Sequence, residues 1–330
     1  MDKPITTTFA GRVRVLLIGL GNQGMEHLEI VRNHPGFSVV GLVDSRASEL
    51  RDRFSLPVFE DITEVSPGLY DAAIVATPPL VYERLCPFLI GHKKHILVEK
   101  PFGCEVHQAL EWTRMAGENG VVVQPAVQRR FHSSYCVWEE YRDRIGSVKE
   151  AFFTMAITHK PKDWRADSAR AGGGVLFDLG FHAIDLSLRW FGPMSLVYAA
   201  FNDSEGRVIH GVSDERAELL YLTETGVAVR LSICRGSPVK SETVQVRGDQ
   251  GSLFFDRSSC RFCSVANNMK TEVLHEGSSG WEDAMKQQLD VFFLNIEEAG
   301  KGVLHRNLSP WDGIHAMKMM KEAYARVING

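Results

Sequence analysis

Residues 13–24 read VRVLLIGLGNQG, an apolar run that leads at once into three glycines with the spacing G-x-G-x-x-G. Such a run is typical of a buried strand, and the residues after the third glycine have a helical pattern. The first glycine permits a tight turn, the second lets a pyrophosphate approach the backbone, and the third lets helix and strand pack closely. The free amides of the helix start then face the phosphates. The predicted contacts to a dinucleotide are Gly19, Gly21, Asn22, Gln23 and Gly24.

Asp44 ends the next apolar run, 20 residues after Gly24. Its carboxylate can accept hydrogen bonds from the adenosine ribose hydroxyls and would repel a 2'-phosphate, which favours NAD(H). Arg46 would form an ion pair with a 2'-phosphate if the Asp44 side chain turned away, so NADP(H) is the alternative cofactor. Ser45 completes this predicted cofactor edge. The competing interpretation of Asp44 is a helix N-cap, which Ser45 could equally supply.

From Val13 to about Gln124, β-branched runs alternate with amphipathic stretches, the pattern of a parallel sheet covered on both faces. After about Ser133 the rhythm changes to a helix as far as Arg144, a strand over 148–159, and a helix from about Phe177 to Phe191. Alternating segments from Ser195 to about Leu274 predict a mostly antiparallel sheet. Two closing helices are predicted over 281–299 and from about Pro310 to Val327.

Composition excludes several classes of protein. Lys plus Arg number 37 against 41 Asp plus Glu, without a long basic run, so nucleic-acid binding is not expected. No window reaches the roughly 18 apolar residues of a membrane span, and the opening residues lack a signal-peptide core, so we expect a cytoplasmic protein with no membrane partner. The six cysteines are scattered, and Cys260 and Cys263 form a lone CxxC, so no metal site is expected.

Two short motifs follow the predicted strands at the sheet edge where α/β proteins hold their ligands. They supply the cofactor candidates Ala76, Thr77, Pro78, Glu99, Lys100 and Pro101. At this edge Lys100 would lie beside the nicotinamide, where a cation can hydrogen-bond the reacting oxygen or tune a neighbouring acid or base.

A second polar cluster follows the glycine triplet 172–174. Three glycines let the backbone pass close to a ligand, and Asp178 and His182 have the i, i+4 spacing of one helical face. Oxidation of a carbinol requires loss of the hydroxyl proton as hydride departs, and histidine suits that transfer. We therefore predict Lys100, Asp178 and His182 as catalytic residues that also bind substrate.

The motifs GLGNQG, ATPP, EKP, AVQRRF and GGGVLFDLGFHAIDL, in this order, resemble those of the glucose-fructose oxidoreductase, inositol dehydrogenase and MocA family. The resemblance implies a Rossmann domain over 1–130 and an α/β domain with an open, largely antiparallel sheet over 131–330, with the last helix a candidate to pack back on the first domain. That sheet often forms the oligomer interface in the family, which implies a homodimer or homotetramer.

The same resemblance assigns roles to single residues. Lys100 matches the EKP lysine of the family, and Asp178 and His182 match its paired aspartate and histidine near the nicotinamide, with His182 transferring the proton. Gln128 falls where members carry an amide near the cofactor, and Arg129 beside it is a candidate substrate contact. The chain departs from the family at Pro79 and Tyr82, where members often have asparagine and, nearby, histidine.

The loop 159–167 matches no pattern for one substrate. Its Trp164 and Arg165 can stack on a sugar ring or pair with a phosphate, and a plain surface loop is the equal alternative. The predicted activity is an NAD(P)-dependent dehydrogenase or ketoreductase acting on a sugar, nucleotide sugar, aminosugar or cyclitol. The alternatives are an imine reductase, a dihydrodiol dehydrogenase or an NAD-dependent glycosidase at the same site, and a non-catalytic regulator that senses a dinucleotide.

Overall fold

The structure is a computed structural model that describes residues 11–158, 164–264, 270–277, 280–302 and 308–329. The chain forms two compact units, the first made of residues up to Ala126 together with Met285–Asp312, the second of Val127–Ala284 together with Gly313–Gly330. The observed division after Ala126 lies close to the expected boundary at residue 130. The expected continuity of the second part differs, however, because one later segment belongs to the first unit.

The first unit contains a six-stranded sheet in which every neighbouring pair is parallel. Its strands are β1 (Val13–Ile18), β2 (Phe37–Val43), β3 (Val58–Phe59), β4 (Ala72–Val75), β5 (His95–Glu99) and β6 (Val123–Ala126). The helices between them are α1 (Asn22–Asn33), α2 (Ala47–Leu50), α3 (Tyr82–Gly91) and α4 (Val106–Asn119). The order β3-β2-β1-β4-β5-β6 reverses direction between β1 and β4, which creates a crevice at the carboxyl ends of these strands.

The second unit contains an eight-stranded sheet in the order β14-β13-β12-β11-β7-β10-β9-β8. Its strands are β7 (Val148–Ile157), β8 (Met194–Asn202), β9 (Arg216–Thr223), β10 (Ala228–Arg235), β11 (Ser241–Gly248), β12 (Gly251–Asp256), β13 (Ser259–Ser264) and β14 (Thr271–Glu276). Six of its neighbouring pairs are antiparallel, and β7 with β10 is parallel. The predicted fold class is therefore confirmed.

The helices of the rest of the chain are α5 (Ser133–Cys136), α6 (Trp138–Tyr141), α7 (Ser168–Ala171), α8 (Phe181–Phe191), α9 (Trp281–Ala299) and α10 (Pro310–Asn329). The predicted continuous helix to Arg144 is wrong, because the chain leaves helical geometry at Val137. There Trp138 turns inward and stacks on Trp190 with ring centroids 4.8 Å apart. Burial of two indoles outweighs the small propensity gain of one unbroken helix.

Helix α9 supplies the segment that returns to the first unit. Its buried residues Leu289, Phe292, Phe293 and Ile296 join the core around β1 and β2. Phe37 lies between two of them, with centroids 6.0 Å from Phe292 and 5.5 Å from Phe293. Most of the last helix, α10, belongs to the second unit. Among the described residues no helix is both long and apolar enough to cross a membrane.

Candidate functional site

The three glycines of the loop after β1 differ in their surroundings. Gly19 has φ +93°, and a Cβ there would lie 2.6 Å from the Ala76 carbonyl oxygen. A Cβ on Gly24 would lie 1.9 Å from the Gly19 oxygen, so this glycine allows helix and strand to pack. A Cβ on Gly21 would meet nothing within 4 Å. Packing of the described chain therefore explains the first and third glycines and leaves free space beside the second.

The amino end of α1 is suited to an anion. Gly21 is its N-cap, no side chain caps it, and its first turn contains no acidic residue. Its first amides, including those of Asn22 and Gln23, carry the positive end of the helix dipole. Together with the space at Gly21, this arrangement fits the pyrophosphate of a dinucleotide.

Asp44 follows β2 and is the centre of a small hydrogen-bonded group. Its Oδ2 accepts from the Leu20 amide at 2.8 Å and from Arg46 Nη2 at 3.1 Å, and its Oδ1 accepts from the Arg46 amide and Nε, each at 3.0 Å. Burial raises the pKa of Asp44, but these hydrogen bonds outweigh it and the net pKa is lowered. The carboxylate is thus held ionised with all of its about four acceptor positions in use.

The hydrogen bonds of Asp44 bear on the roles predicted for Asp44, Ser45 and Arg46. Ser45 is exposed, and α2 has no side-chain cap, so the capping role considered for Ser45 is wrong. Asp44 does bind the backbone amide of Arg46, yet it also faces Leu20 of the glycine loop. Arg46 is 52% exposed and its guanidinium covers both carboxylate oxygens. Ribose hydroxyls can reach Asp44 only if Arg46 moves aside.

The loop after β4 contains the candidates Ala76, Thr77 and Pro78. The Ala76 amide donates to the Ile18 carbonyl at 2.8 Å, which fixes the loop against the end of β1. The buried Thr77 Oγ1 has no hydrogen-bond partner within the described chain. The Tyr82 hydroxyl donates to the Thr77 carbonyl at 3.0 Å, and its ring is wholly buried. Tyr82, noted as a departure from the family pattern, therefore stabilises this loop.

The Glu99-Lys100-Pro101 motif ends β5, and its peptide bond between Lys100 and Pro101 is cis. Glu99 is buried, and its two oxygens serve different partners: Oε1 hydrogen-bonds His27 Nε2 at 2.8 Å, and Oε2 accepts from the Lys100 amide at 3.3 Å. His27 lies on α1, so a buried pair connects the cofactor-binding helix with the backbone of Lys100. Sequence reasoning missed His27, because a single histidine within a helix carries no signal of its partner 72 residues away.

In the second unit, the glycine triplet leads into a π-helix over Leu176–Gly180, followed by α8. The prediction of an α-helix from about Phe177 is wrong for this first turn. Asp178 lies in the π-helical turn and is 22% exposed, whereas His182 in α8 is 4% exposed. Widened turns of this kind are frequent at functional sites.

Trp164 and Arg165 lie in a short 3-10 helix over Trp164–Ala166, and the structure places them beside the proposed catalytic turn. The Arg165 guanidinium lies 4.4 Å from the centre of the Trp164 ring, and its Nε lies 3.9 Å from Asp178 Oδ1. The structure thus brings together three of the predicted substrate contacts. Residues 159–163 of the same predicted loop lie outside the described residues.

In the AVQRRF segment, one side chain has a buried acceptor without a hydrogen-bond partner in the described structure, and two arginines form ion pairs. Gln128 is buried, and its Oε1 has no hydrogen-bond partner in the described structure. Arg129, predicted to contact substrate, pairs with Glu242 at 2.9 Å. Burial alone would raise the pKa of Glu242, but its net pKa is lowered, mainly by the charge and hydrogen bond of Arg129. Arg130 Nε donates to Asp185 at 2.7 Å in a buried pair. Both guanidinium groups are therefore engaged by carboxylates of the second unit.

The predicted site residues divide between the units. The glycine loop, Asp44, Thr77 and Lys100 belong to the first unit, whereas Gln128, Arg165, Asp178 and His182 belong to the second. Within the described ranges, no group of three or more His, Cys, Asp or Glu side chains could hold a metal ion. Cys260 and Cys263 are buried on β13, and burial raises the pKa of Cys260 to about 12, which keeps this thiol protonated.

Comparison with protein families gives two matches. A family described as "Oxidoreductase family, NAD-binding Rossmann fold" matches residues 13–127, and the "GFO/IDH/MocA C-terminal domain" matches residues 142–254. The scyllo-inositol 2-dehydrogenase (NADP(+)) IolU of Bacillus subtilis is 26% identical over 232 residues, which are 63% of this chain and 69% of that protein.

Solved structures show the same fold. GenD2 from gentamicin A biosynthesis, in complex with NAD, aligns with a TM-score of 0.82 at 20% identity and covers 100% of this chain and 97% of its own. Levoglucosan dehydrogenase, in complex with NADH and levoglucosan, aligns with a TM-score of 0.82 at 18% identity, over 96% of this chain and 97% of its own.

Proposed function

Because the chain belongs to the GFO/IDH/MocA family of oxidoreductases with an NAD-binding Rossmann fold, we propose that it transfers hydride between a nicotinamide and a carbinol or ketone carbon of a sugar, nucleotide sugar, aminosugar or cyclitol. The observation that carries this proposal is the start of α8, where Asp178 and His182 follow a glycine triplet and Asp178 faces Arg165. Such a cluster offers an acid–base group, an acceptor and a cation to a hydroxylated ligand.

The residues of the first unit would hold the cofactor. The space beside Gly21 and the uncapped amides of α1 fit the pyrophosphate, and Asp44 with Ser45 and Arg46 would contact the adenosine ribose. The bound nicotinamide supplies a hydride acceptor or donor. We propose NAD as the main cofactor and keep NADP as the alternative, because the guanidinium of Arg46 can pair with a 2'-phosphate.

The chemical roles follow from the side chains. His182 would take the hydroxyl proton during oxidation and return it during reduction, since imidazole changes charge near neutral pH. Lys100 would hydrogen-bond the reacting oxygen, and Asp178 would accept a hydrogen bond from a neighbouring hydroxyl. The indole of Trp164 can stack on the face of a sugar ring. The named activities of the inositol and levoglucosan dehydrogenases support this class of substrate.

We also propose that the second unit mediates pairing into a homodimer or homotetramer. Its sheet has exposed apolar side chains on four strands, namely Val197, Tyr198, Leu222, Phe254 and Val273. Three of them, Val197, Tyr198 and Leu222, lie on the neighbouring strands β8 and β9, where exposed apolar side chains suit a protein interface. Light scattering that gives a monomeric mass at micromolar concentration would exclude this arrangement.

The function is tested by following cofactor reduction with a panel of polyols, sugars and cyclitols and either NAD or NADP. For a substrate that is turned over, we expect Lys100→Ala and His182→Ala to lower kcat by about 100-fold or more. The exposed residues Lys149 and His92 provide matched controls, and Lys149→Ala and His92→Ala should retain full activity. Folded Lys100→Ala and His182→Ala proteins with full activity would refute the assigned roles.

Product analysis separates this function from its neighbours in chemistry. A dehydrogenase oxidises the carbinol to a ketone and forms one equivalent of reduced cofactor for each ketone. Glycoside cleavage would return the cofactor unchanged. An imine reductase or a dihydrodiol dehydrogenase would instead show turnover only with an imine or a dihydrodiol as the substrate. Turnover by the purified chain alone would exclude a purely regulatory role.

A further inference from the structure

A buried carboxylate lies behind the glycine triplet, and no step of the proposed reaction uses it. Asp214 precedes β9 and is completely buried. Its Oδ2 accepts from the Leu176 amide at 2.8 Å, and its Oδ1 accepts from the Tyr324 hydroxyl at 2.7 Å. Burial of a carboxylate is costly unless its acceptors are satisfied, so this position is not explained by packing alone.

Tyr324 on α10 connects this carboxylate with the glycine triplet. Its hydroxyl oxygen accepts from the Gly174 amide at 3.0 Å while its proton is donated to Asp214. The main chain of Asp214 adds another contact, because its carbonyl accepts from the Val175 amide at 2.8 Å. Three consecutive amides, from Gly174 to Leu176, thus donate to two residues distant in sequence: two amides donate to side chains and the Val175 amide to a main-chain carbonyl.

The fit is close enough to require glycine. A Cβ on Gly174 would lie 2.3 Å from Asp214 Oδ1 and 2.5 Å from its amide nitrogen, and a Cβ on Gly173 would lie 2.8 Å from the Tyr324 hydroxyl. From the sequence alone, the triplet is expected to let a ligand approach the backbone closely. In the structure, two of its glycines instead make room for Asp214 and Tyr324.

The same carboxylate residue is linked to the Trp164–Ala166 turn. Arg235, also buried, donates from Nη2 to the Asp214 carbonyl at 3.4 Å and from Nη1 to the Arg165 carbonyl at 3.3 Å. The Asp178 amide in turn donates to the Gly174 carbonyl at 3.1 Å. One buried network therefore holds the backbone on both sides of the contact between Arg165 and Asp178.

We propose that Asp214, Tyr324 and Arg235 are positioning residues that fix the turn before α8 and thereby orient Asp178 and His182 toward the substrate. We call the pair of side chains at its centre the Asp214–Tyr324 bridge. This inference rests on the proposed function for its catalytic consequence, whereas its structural part stands on the contacts alone. Displacement of a reacting group by about 1 Å can cost 100-fold in rate, so a loose turn would lower turnover.

The test compares two buried tyrosines of the same unit. Tyr324→Phe removes the hydroxyl of the bridge and keeps the ring, whereas Tyr221→Phe removes a buried hydroxyl that donates to the Met319 carbonyl and lies outside the network. For a substrate of the panel that the wild type turns over, we expect Tyr324→Phe to lower kcat by about tenfold to 100-fold while the Kd for the dinucleotide is unchanged. Tyr221→Phe should leave both quantities as in the wild type.

Hydrogen exchange measured by mass spectrometry provides a readout that does not need turnover. Tyr324→Phe should speed exchange at residues 174–182, and Tyr221→Phe should not. Equal kcat in Tyr324→Phe and the wild type, equal loss in both variants, or unchanged exchange at 174–182 would overturn the inference. A wild type that turns over no member of the panel would refute the proposed function, and exchange would still decide whether the bridge holds the turn.

Discussion

The middle glycine of the loop after β1 provides a sharp test of cofactor binding. Gly21 has φ −74° and ψ −172°, a conformation that any residue adopts, and a Cβ there meets nothing within 4 Å. Gly21→Ala should therefore fold normally. The added methyl group would nevertheless enter the space that the pyrophosphate is expected to occupy, so only binding should suffer.

The expected magnitudes follow from this geometry. Alanine reduces the entropy of the unfolded chain, which stabilises by about 0.4–1 kcal/mol, but it is a poorer N-cap than glycine by a similar amount. The two effects nearly cancel, and the melting temperature should change by no more than about 2 °C. For the dinucleotide we expect Kd to rise by about tenfold to 100-fold, which corresponds to roughly 1.4–2.7 kcal/mol.

Gly24→Ala is the matched comparison, because its Cβ would lie 1.9 Å from the Gly19 carbonyl oxygen. Here helix and strand must separate, and we expect a loss of stability of roughly 1–3 kcal/mol. Thermal unfolding and fluorescence titration with NADH measure both quantities for each variant. Wild-type affinity for the dinucleotide in Gly21→Ala would refute the assignment of this space to the pyrophosphate.

Three further predictions concern charged groups. Arg46→Ala should raise the ratio of kcat/KM for NAD over NADP roughly tenfold, or about 1.4 kcal/mol, because Asp44 gains free acceptors and the cation is lost; an unchanged ratio would show that Arg46 does not select the cofactor. Arg130→Met removes the guanidinium that donates to the buried Asp185 and should destabilise by about 3 kcal/mol, seen as a lower urea midpoint, and adding Asp185→Leu should restore much of this stability; a single variant as stable as the double would contradict this. Burial raises the pKa of Asp214 to about 6 from its ordinary 3.8, despite the hydrogen bonds from the Leu176 amide and Tyr324 and the charge of Arg235. Its contribution to stability is thus complete below the ordinary value and is lost as the pH rises through about 6, by roughly 3 kcal/mol. The melting temperature of Asp214→Asn relative to the wild type should therefore rise between about pH 4 and pH 7.5, and a constant difference would refute the shift.

The cofactor half of the fold could be predicted from the sequence because its signals are local. Strand, glycine turn and helix are consecutive over residues 13–33, and Asp44 ends the next strand. Each prediction there needed only periodicity and the steric demand of glycine. The Lys100 and Thr77 motifs were likewise found from their position at strand ends.

The groups that hold the site were not predictable, because their partners are distant in sequence. Glu99 forms a hydrogen bond with His27, which lies 72 positions earlier in the sequence. Tyr324 donates to Asp214, which lies 110 positions earlier. A buried aspartate or tyrosine has no periodic or compositional signature. The π-helical turn before α8 was also missed, since it depends on contacts to Leu176 and Gly174 from outside the segment.

The Arg129 prediction illustrates a different difficulty. The sequence shows a cation beside the predicted site residue Gln128, but it does not show that Glu242 on β11 pairs with that cation. Whether an arginine is available to a ligand depends on tertiary ion pairing, which a single sequence does not encode.

The return of α9 to the first unit has a consequence for synthesis of the protein on the ribosome. When residues up to Ala126 have emerged, the apolar surface around Phe37 still lacks Leu289, Phe292 and Phe293, which are translated some 160 positions later. The nascent nucleotide-binding half must therefore remain incomplete and exposed to aggregation while the entire second sheet is made. A fragment ending at Ala126 would keep this apolar surface exposed. Its aggregation and its binding to chaperones should therefore decrease only when α9 is supplied.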